Sequence, residues 1–550
     1  MKYYSRIAPF LYTITILLCL ILIIRNIKQN RLSNANQLDL PNINLPNINL
    51  PNLDLRNLDL KNRNMSIVSG YWVVHNKHNN KFNDWFSKTL RINCPYVFFG
   101  NKETIEMVKK YRHDLPTYYV HLELNDFVTS KYKNDFITDS VHVPSAELNM
   151  IWNEKVFLIQ RAKELNPFKS DYFTWCDAGI CIYREETPPI EPIPRCFLPK
   201  NKLIYTESNP YNESSLTSTH YHHVSGTWCM HVNIIDEFAS IYKKYLHKLV
   251  PRKDNLYTDQ VILTYIYKDF PELFYKIGSG YGELIKVLNK PKLYVPTLIG
   301  GLGNQLFTLL SVYFMAQDNG GFCMIRDSGK DHTSIDYTQN IFSKIENVKN
   351  NENELKTLGD SQVYSFSNRS NERDSFSKIV SPYNSINGYL QNYNHFHSHY
   401  DELLRLVVLP ETPKESVFFL HVRLGDFKQS EIHIINLDNY YKKAIQEIKN
   451  KVTNPVFRLF SDEPENASKY MYNLVPDINI LPATKRDELT ELSAMRNCTL
   501  GGVAGHSTFA WWGGYLNSNK NKVIVIPNIF TLQNDTFEGM YYPGTTVVNV

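Results

Sequence analysis

Tyr294-Val-Pro-Thr-Leu-Ile-Gly-Gly-Leu-Gly-Asn-Gln-Leu-Phe307 decides the reading of this 550-residue chain. A strand-like run meets a glycine-rich turn, and the turn opens a helix predicted over Leu306–Met315. Gly300, Gly301 and Gly303 let backbone N–H groups approach an anion at the helix N-terminus, where the dipole favours negative charge. The spacing is not that of the G-x-G-x-x-G dinucleotide fingerprint, and a plain tight strand-to-helix turn would use the same residues. Two later segments join it. Phe418-Phe-Leu-His-Val-Arg-Leu-Gly-Asp-Phe427 continues a strand predicted over Ser416–Leu420 into a cationic turn. Ligands of α/β proteins bind at such strand ends. Arg423 can grip a diphosphate there through two charge-assisted hydrogen bonds. Asp426 can orient that arginine or cap the next segment. Gly505-His-Ser-Thr-Phe-Ala-Trp-Trp-Gly-Gly-Tyr-Leu516 places Ser507 and Thr508 before an aromatic helix predicted over Phe509–Leu516, as N-caps or as phosphate ligands.

Between these segments, Phe457–Ser461 reads as a strand running into Asp462 and Glu463, and Asp487–Cys498 as a helix leading into Leu500–Val503. The order is the informative part. Gly-Gly-x-Gly-Asn-Gln, His-x-Arg-x-x-Asp, Phe-Ser-Asp, Asp-x-x-x-x-Leu-x-x-Met-x-x-Cys and Ser-Thr-Phe-x-Trp-Trp, in that sequence over about residues 293–530, resembles the α-1,2-fucosyltransferases of glycosyltransferase family 11. The resemblance implies a GT-B-like fold of two Rossmann-like lobes, GDP-fucose as donor, inversion at the anomeric carbon and no metal. It implies donor contacts from Gly301, Gly303, Asn304 and Gln305, from His421 and Arg423, from Ser461 and Asp462, and from Ser507, Thr508 and Phe509. Arg423, Asn304 and Asp426 are the catalytic candidates, and the acceptor is a glycan, with O2 of a galactose-like residue as the hydroxyl. The chain departs from many members at Leu424, where a second arginine is common, at Phe427, where tyrosine is common, and at His506, where asparagine is common. Bond cleavage leaves negative charge on the β-phosphate, so Arg423 and helix N-terminal amides must supply positive potential. One such group in a dry site is worth about 3 kcal/mol of barrier. A general base should take the acceptor's proton. Asp426, Glu463 and His506 are candidates, and the sequence does not choose among them.

The N-terminal half alternates short apolar strands (Ile67–Val74, Tyr96–Phe99, Tyr172–Trp175) with helical runs (Ile105–Tyr111, Asn153–Leu165), which predicts an α/β domain with a largely parallel sheet. Ile67-Val-Ser-Gly-Tyr-Trp72, Pro144-Ser-Ala-Glu-Leu-Asn-Met-Ile-Trp-Asn-Glu-Lys155, Asn166-Pro-Phe-Lys-Ser-Asp-Tyr-Phe-Thr-Trp-Cys-Asp-Ala-Gly-Ile180 and Thr258-Asp-Gln-Val261 look like the HtrL/YibB family, which resembles GT-A-type glycosyltransferases. Asp177 ends an apolar strand, where a GT-A enzyme would hold Mg²⁺ or Mn²⁺ against a nucleotide diphosphate. Asp259, heading a helix, is the second metal candidate. A turn carboxylate and an N-cap are the plain alternatives. Trp175 stands where a full Asp-x-Asp would place its first acid. His220, His222 and His223 form a loose cluster that reads as solvated loop.

Domain boundaries follow. Residues 65–290 form the first body and 291–550 the second, with a break at Asn-Lys-Pro-Lys292 and a polar surface excursion over Lys344–Asp374. Ahead of both, residues 7–24 carry no charge and span roughly 27 Å as a helix, enough for a bilayer core. No small-residue cleavage site follows, so the segment reads as an uncleaved anchor behind a short tail, 1–6, with the rest on the far side of the membrane: a type II, lumenal arrangement. Five-residue repeats with leucine at 40, 45, 50, 55 and 60 fall in an expected stalk over 25–64. The formal charge of +4 gives no argument for nucleic acid. Eight cysteines contain no Cys-x-x-Cys pair and no zinc spacing; one or two disulfides within 94–229 are conceivable in a lumenal protein.

Overall fold

The computed structural model describes residues 64–550 except 79–80, 195–197, 218–220, 327–334, 352–354, 356–359, 426–432 and 533–537. The anchor expected at 7–24, the repeats up to residue 63, His220 and Asp426 therefore lie outside the described residues. Among those described, no helix is long and apolar enough to cross a membrane, and Cys176, Cys181, Cys229, Cys323 and Cys498 carry free thiols.

Three sheets organise the described residues. The first holds β1 (Met65–Tyr71), β2 (Tyr96–Gly100), β3 (Thr117–His121), β4 (Tyr172–Trp175), β5 (Leu203–Glu207), β6 (Val224–His231) and β7 (Phe274–Ser279), in the order β3-β2-β1-β4-β6-β5-β7. It is parallel except for β6, which runs antiparallel to both neighbours. Its strands β2 and β6 are buried along their whole length because helices cover both faces. One of these is α1 (Ala146–Leu165), which starts seven residues before the predicted Asn153 because the Ser145 hydroxyl accepts the Leu148 amide at 3.2 Å and caps an earlier turn. Another is α2 (Asp259–Asp269), capped by Thr258.

The second sheet, β8 (Lys292–Pro296), β9 (Gly321–Cys323), β10 (Gln362–Ser365) and β11 (Tyr383–Asn387), has the order β10-β11-β8-β9 and is parallel throughout. The third, β12 (Phe418–His421), β13 (Val456–Phe460), β14 (Asn479–Leu481), β15 (Gly501–Val503), β16 (Val523–Pro527) and β17 (Thr545–Val548), has the order β14-β13-β12-β15-β16-β17 and is also parallel. Two parallel sheets with crossover helices are the Rossmann-like pair that a GT-B arrangement requires. The polar stretch Lys344–Asp374 is not purely a surface excursion. It contributes β10, an edge strand with mostly exposed side chains, which lacks the apolar run that marks an interior strand.

Helix α3 (Leu302–Asp318) is buried along nearly its whole length, as its apolar composition on every face demands. It packs on β8, β9 and β7, and also on α5 (Thr508–Tyr515) from the third-sheet lobe; α4 (Glu488–Arg496) lies against α5 in turn. The core is continuous across these elements: Tyr275 and Ile277 of β7 share a cluster with Leu306, Phe307, Trp511 and Trp512. At the far end of α3, Asp318 meets Lys276 (3.5 Å), Arg373 (2.7 Å) and His399 (3.0 Å). Burial alone would raise this carboxyl, but His399, Lys276 and Arg373 outweigh it and hold it far below the usual range.

Candidate functional site: two helix N-termini and an arginine

The glycine-rich turn has a conformational reason. Gly300 sits at φ +75°, which a side chain rarely adopts, and Gly301 is the N-cap of α3. Gly303 answers a different demand. A Cβ there would lie 2.6 Å from the backbone N of Phe509, the carbonyl carbon of Thr508 and the Thr508 hydroxyl. The start of α3 thus touches the start of α5, and the positive ends of two helix dipoles converge. Side chains lock the approach. Asn304 Oδ1 accepts from Thr508 Oγ1 at 3.0 Å and from Gln391 Nε2 at 2.9 Å, which leaves Nδ2 as its donating end. Trp512 Nε1 donates to the Gly303 carbonyl at 2.9 Å. Ser507 caps α5 by accepting the Phe509 amide at 3.2 Å. Gln305 is buried, and its Nε2 donates to the Gly300 carbonyl at 2.8 Å, so it braces the turn from behind. Gly301, Asn304, Thr508 and Phe509 keep partial exposure.

Arg423 lies two residues beyond β12, the strand between β13 and β15. Its Nε is 3.3 Å from Asp462 Oδ2. Asp462 also accepts the Leu424 amide (3.0 Å) on Oδ1 and the Gly425 amide (2.9 Å) on Oδ2. Burial would raise its carboxyl; the Leu424 amide, Arg423 and the Gly425 amide prevail and hold it below the usual range. Among the described residues, Asp462, the residue after β13 and Ser461, is a carboxylate that orients Arg423, and Asp426 lies outside them. The Ser461 hydroxyl accepts the Glu463 amide at 3.1 Å and shapes the same bend. His421 is buried. Burial first, then Arg423, pushes its ring down to about 3, so it is neutral; its carbonyl accepts the Tyr441 hydroxyl at 3.0 Å, and its ring centre lies 6.2 Å from that of Phe509.

Of the proton acceptors named from sequence, Glu463 accepts Asn466 Nδ2 at 2.8 Å. His506 has Nε2 3.1 Å from the His433 carbonyl, and burial pushes its ring down to about 4, which makes it a weak base near neutrality. The structure adds Glu491, on α4. Burial pushes its carboxyl up to about 7; Arg486 and Arg423 oppose the shift, and Asp462 reinforces it. A carboxyl with that value, in the field of Arg423, suits general base catalysis. The sequence showed only an acid one turn into a predicted helix, and nothing local marked its closeness to Arg423.

The two metal candidates of the first sheet do come together, but around a lysine. Lys155 of α1 places Nζ 3.1 Å from Asp177 Oδ1 and 2.9 Å from Asp259 Oδ2. Trp175 Nε1 donates to Asp177 Oδ1 at 2.8 Å. Burial alone would lower the lysine; Asp177 and Asp259 reverse this and raise it, so the ammonium is charged. A divalent ion bridging these carboxylates would have to occupy the volume the ammonium fills. Among the described residues, no group of three His, Cys, Asp or Glu side chains is arranged to hold a metal ion. The residues present do not fit the Mg²⁺ or Mn²⁺ site expected at Asp177 and Asp259. Lys155 was quoted within a motif, yet its role was illegible, because both partners arrive from other elements. His222 lines the same cavity as this triad, whereas His223 Nε2 is 2.8 Å from the Tyr205 hydroxyl, in the core.

Comparison with known proteins matches the glycine-rich turn, Arg423 and the Ser-Thr-Phe helix to one family. The description Glycosyl transferase family 11 covers residues 270–544, half the chain. The chain belongs to glycosyltransferase family 11. Residues 122–289 match a second description, a bacterial protein of unknown function (HtrL_YibB). An Escherichia coli O-antigen biosynthesis glycosyltransferase, WbnK, is 28% identical over 113 residues, 20% of this chain and 37% of that protein. An Escherichia coli alpha-1,2-colitosyltransferase is 24% identical over 269 residues, 42% of this chain and 90% of that one. Among solved structures, an Arabidopsis thaliana FUT1 mutant in complex with GDP is similar at 13% identity with a TM-score of 0.29, covering 58% of this chain and 81% of that chain. A family 9 glycosyltransferase from Veillonella parvula gives 13% and 0.28, with 47% and 87% covered. This family 11 chain is thus a fucosyltransferase-like glycosyltransferase.

Proposed function

We propose that residues 291–550 transfer fucose from GDP-fucose to a sugar hydroxyl, O2 of a galactose-like residue, with inversion. The observation that carries the reading is the meeting of the α3 and α5 N-termini, clamped through Asn304 and Thr508, in the lobe pair that also presents Arg423. In the reaction, the acceptor oxygen attacks the anomeric carbon as the bond to the β-phosphate oxygen breaks. GDP leaves with the bonding pair, and the acceptor's proton passes to a base. Arg423, the helix amides and Asn304 Nδ2 meet the charge growing on the departing phosphate. Glu491 takes the proton. Asp462 holds the Arg423 turn in place. No metal takes part. The N-terminal module transfers a second sugar, so that two steps of one glycan are joined, and residues 7–24 anchor both modules on the lumenal or far side of a membrane.

A second donor has specific support: the colitosyltransferase relative, 90% of whose length is matched, together with Leu424 in place of a second arginine. The purified chain, incubated in turn with GDP-fucose and GDP-colitose and with galactose-terminated disaccharides, tests both by mass spectrometry of products. A fucosylated product supports the main reading. A colitosylated product alone selects the second. No product from either donor rejects both.

A further inference from the structure

The first sheet carries a cavity of about 590 Å³ that the family 11 chemistry does not use. It opens at the C-terminal ends of β1 and β4, through Gly70, Tyr71, Trp175 and Asp177, where ligands of α/β sheets bind. Its size suits a drug-sized or nucleotide-sized ligand. We infer that this cavity binds a sugar nucleotide without a divalent metal, with the Lys155 ammonium occupying the place between Asp177 and Asp259 that a metal would take. The inference rests on the reading of the N-terminal module as a second sugar-transferring unit, and specifies what that unit holds and how.

A helix inside a domain ordinarily turns apolar residues inward, yet α1 buries Asn149, Asn153, Glu154 and Lys155. Three of these are engaged structurally. Asn149 Nδ2 donates to the Leu256 carbonyl (2.6 Å), Asn153 accepts the Tyr242 hydroxyl (2.8 Å), and Glu154 accepts the Val128 and Thr129 amides (3.0 and 2.9 Å). Lys155 differs: it reaches the cavity wall and ends on two carboxylates. The carboxylates are unequal. The Asp259 side chain is 4% exposed and locks the ammonium, whereas that of Asp177 is 36% exposed and faces the cavity. Asp177 spends Oδ1 on Lys155 and Trp175, so Oδ2 is the oxygen turned to an incoming hydroxyl. A buried ion pair of this kind is costly unless each charge is compensated, and holding a fixed cation beside an accessible acid is a functional arrangement rather than a stabilising one.

The rest of the lining sets the ligand class. Lys77, Lys155 and Arg184 face Asp177 and Asp259, so the cavity carries one net positive charge and selects an anion. Arg184 is held for the purpose: its guanidinium stacks 3.8 Å from the Trp85 ring centre, and Nε donates to the Gly179 carbonyl at 3.0 Å. Tyr71, Trp72, Trp152 and Tyr281 supply flat apolar faces for a sugar or base. Gly226 admits the Tyr281 hydroxyl, which lies 3.1 Å from where a Cβ would stand. Ser208 also lines the cavity, and among the described residues its Oγ has no hydrogen-bond partner. Phosphate charge, hydroxyls and an aromatic or pyranose face on one molecule describe a nucleotide sugar.

The test uses the full chain with Arg423→Ala, which silences the other site. UDP-glucose, UDP-galactose, UDP-N-acetylglucosamine and GDP-mannose are titrated calorimetrically in excess EDTA and in excess MnCl₂. At least one probe is expected to bind in EDTA, with an affinity that manganese changes by less than about twofold. Ser208→Trp, which adds bulk to the cavity lining and leaves the triad residues in place, should weaken that binding at least about tenfold. Lys155→Met combined with Asp259→Asn, which removes one buried charge of each sign and leaves the net charge of the triad unchanged, should do the same with an unchanged circular dichroism spectrum. Binding of no probe, binding only with manganese, or full binding by Ser208→Trp would overturn the inference. Fucose transfer by the wild-type chain is read separately, so failure here and failure of the family 11 reading remain distinct.

Discussion

Replacing Gly303 with alanine separates the account from a generic reading of the glycine-rich turn. Gly303 lies in the first turn of α3, where alanine is intrinsically better by about 0.8–1.0 kcal/mol. Against that gain, the new methyl would stand 2.6 Å from three atoms of Thr508 and Phe509, two of them backbone. These must retreat by roughly 0.8 Å to restore ordinary contact, at a packing cost of about 1–3 kcal/mol. The net stability change is therefore small, about 0–2 kcal/mol of destabilisation. The kinetic effect is larger. Helix α5 moves away from α3, the Thr508–Asn304 bond at 3.0 Å stretches, and the amides facing the departing phosphate shift by a comparable distance. A displacement near 1 Å costs on the order of 10²-fold in rate. Gly301→Ala is the control, because its Cβ meets nothing within 4 Å and its φ of −68° suits any residue. It should lose only the cap preference of glycine over alanine, about 1 kcal/mol or less of stability. The assay is kcat/KM for GDP-fucose transfer beside thermal unfolding of both variants. Transfer by Gly303→Ala within threefold of wild type, or a greater loss in Gly301→Ala, would refute the converging-helix argument.

Arg423→Ala should lower kcat/KM by about 10²-fold or more, and Arg423→Lys should recover little, because an ammonium lacks the fork that matches a diphosphate; transfer by either variant near wild type contradicts the role. Asp462→Ala should raise the KM for the donor about tenfold as the Leu424–Gly425 turn loses its anchor, with a smaller change in kcat; an unchanged KM would remove its positioning role. The kcat/KM profile should fall as pH drops through about 7, as Glu491 takes up its proton; Glu491→Gln should cost about 10²-fold and abolish that limb, and a profile flat to pH 5 counts against it. His395, His421 and His506 are held neutral chiefly by burial, at about 4, 3 and 4. Their folded values lie below the unfolded one, so the unfolded chain binds more protons, and stability present above pH 6.5 is lost as pH falls towards 4. With all three titrating, their share of the slope approaches 4 kcal/mol per pH unit, about one proton each, while Glu491 and Glu154, pushed up to about 7 by burial, act in the opposite sense over pH 7 to 5; a His395→Gln variant whose urea midpoint changes between pH 7 and 5 as the wild type's does would contradict the histidine share.

What was readable from sequence divides along a physical line. The α3 turn was readable because Gly300 and Gly303 each answer a demand only glycine meets, one of φ and one of space. Arg423 was singled out by the order of the surrounding motifs and not by its own turn, because an arginine after an apolar strand has plain structural uses as well. Local chemistry also marked Ser507 as a cap. Relations between distant segments were not readable. The antiparallel β6 has the same apolar texture as its parallel neighbours, and β10 too little apolar texture to mark it. Asp462 was quoted only as part of a motif, and its proximity to Arg423 is created by β12 pairing with β13. Asp177 and Asp259 were singled out as acids at strand and helix ends, which is sound as far as it goes. The lysine between them comes from the middle of α1, and it turns a metal site into an ion triad.

The most direct test is a crystal structure of the full chain with GDP. The diphosphate should lie against the amides that open α3 and α5, with the Arg423 guanidinium on the β-phosphate and Asp462 still holding the Leu424 and Gly425 amides. A nucleotide seated away from these helix starts, or an Arg423 side chain pointing away from the phosphates, would contradict the account.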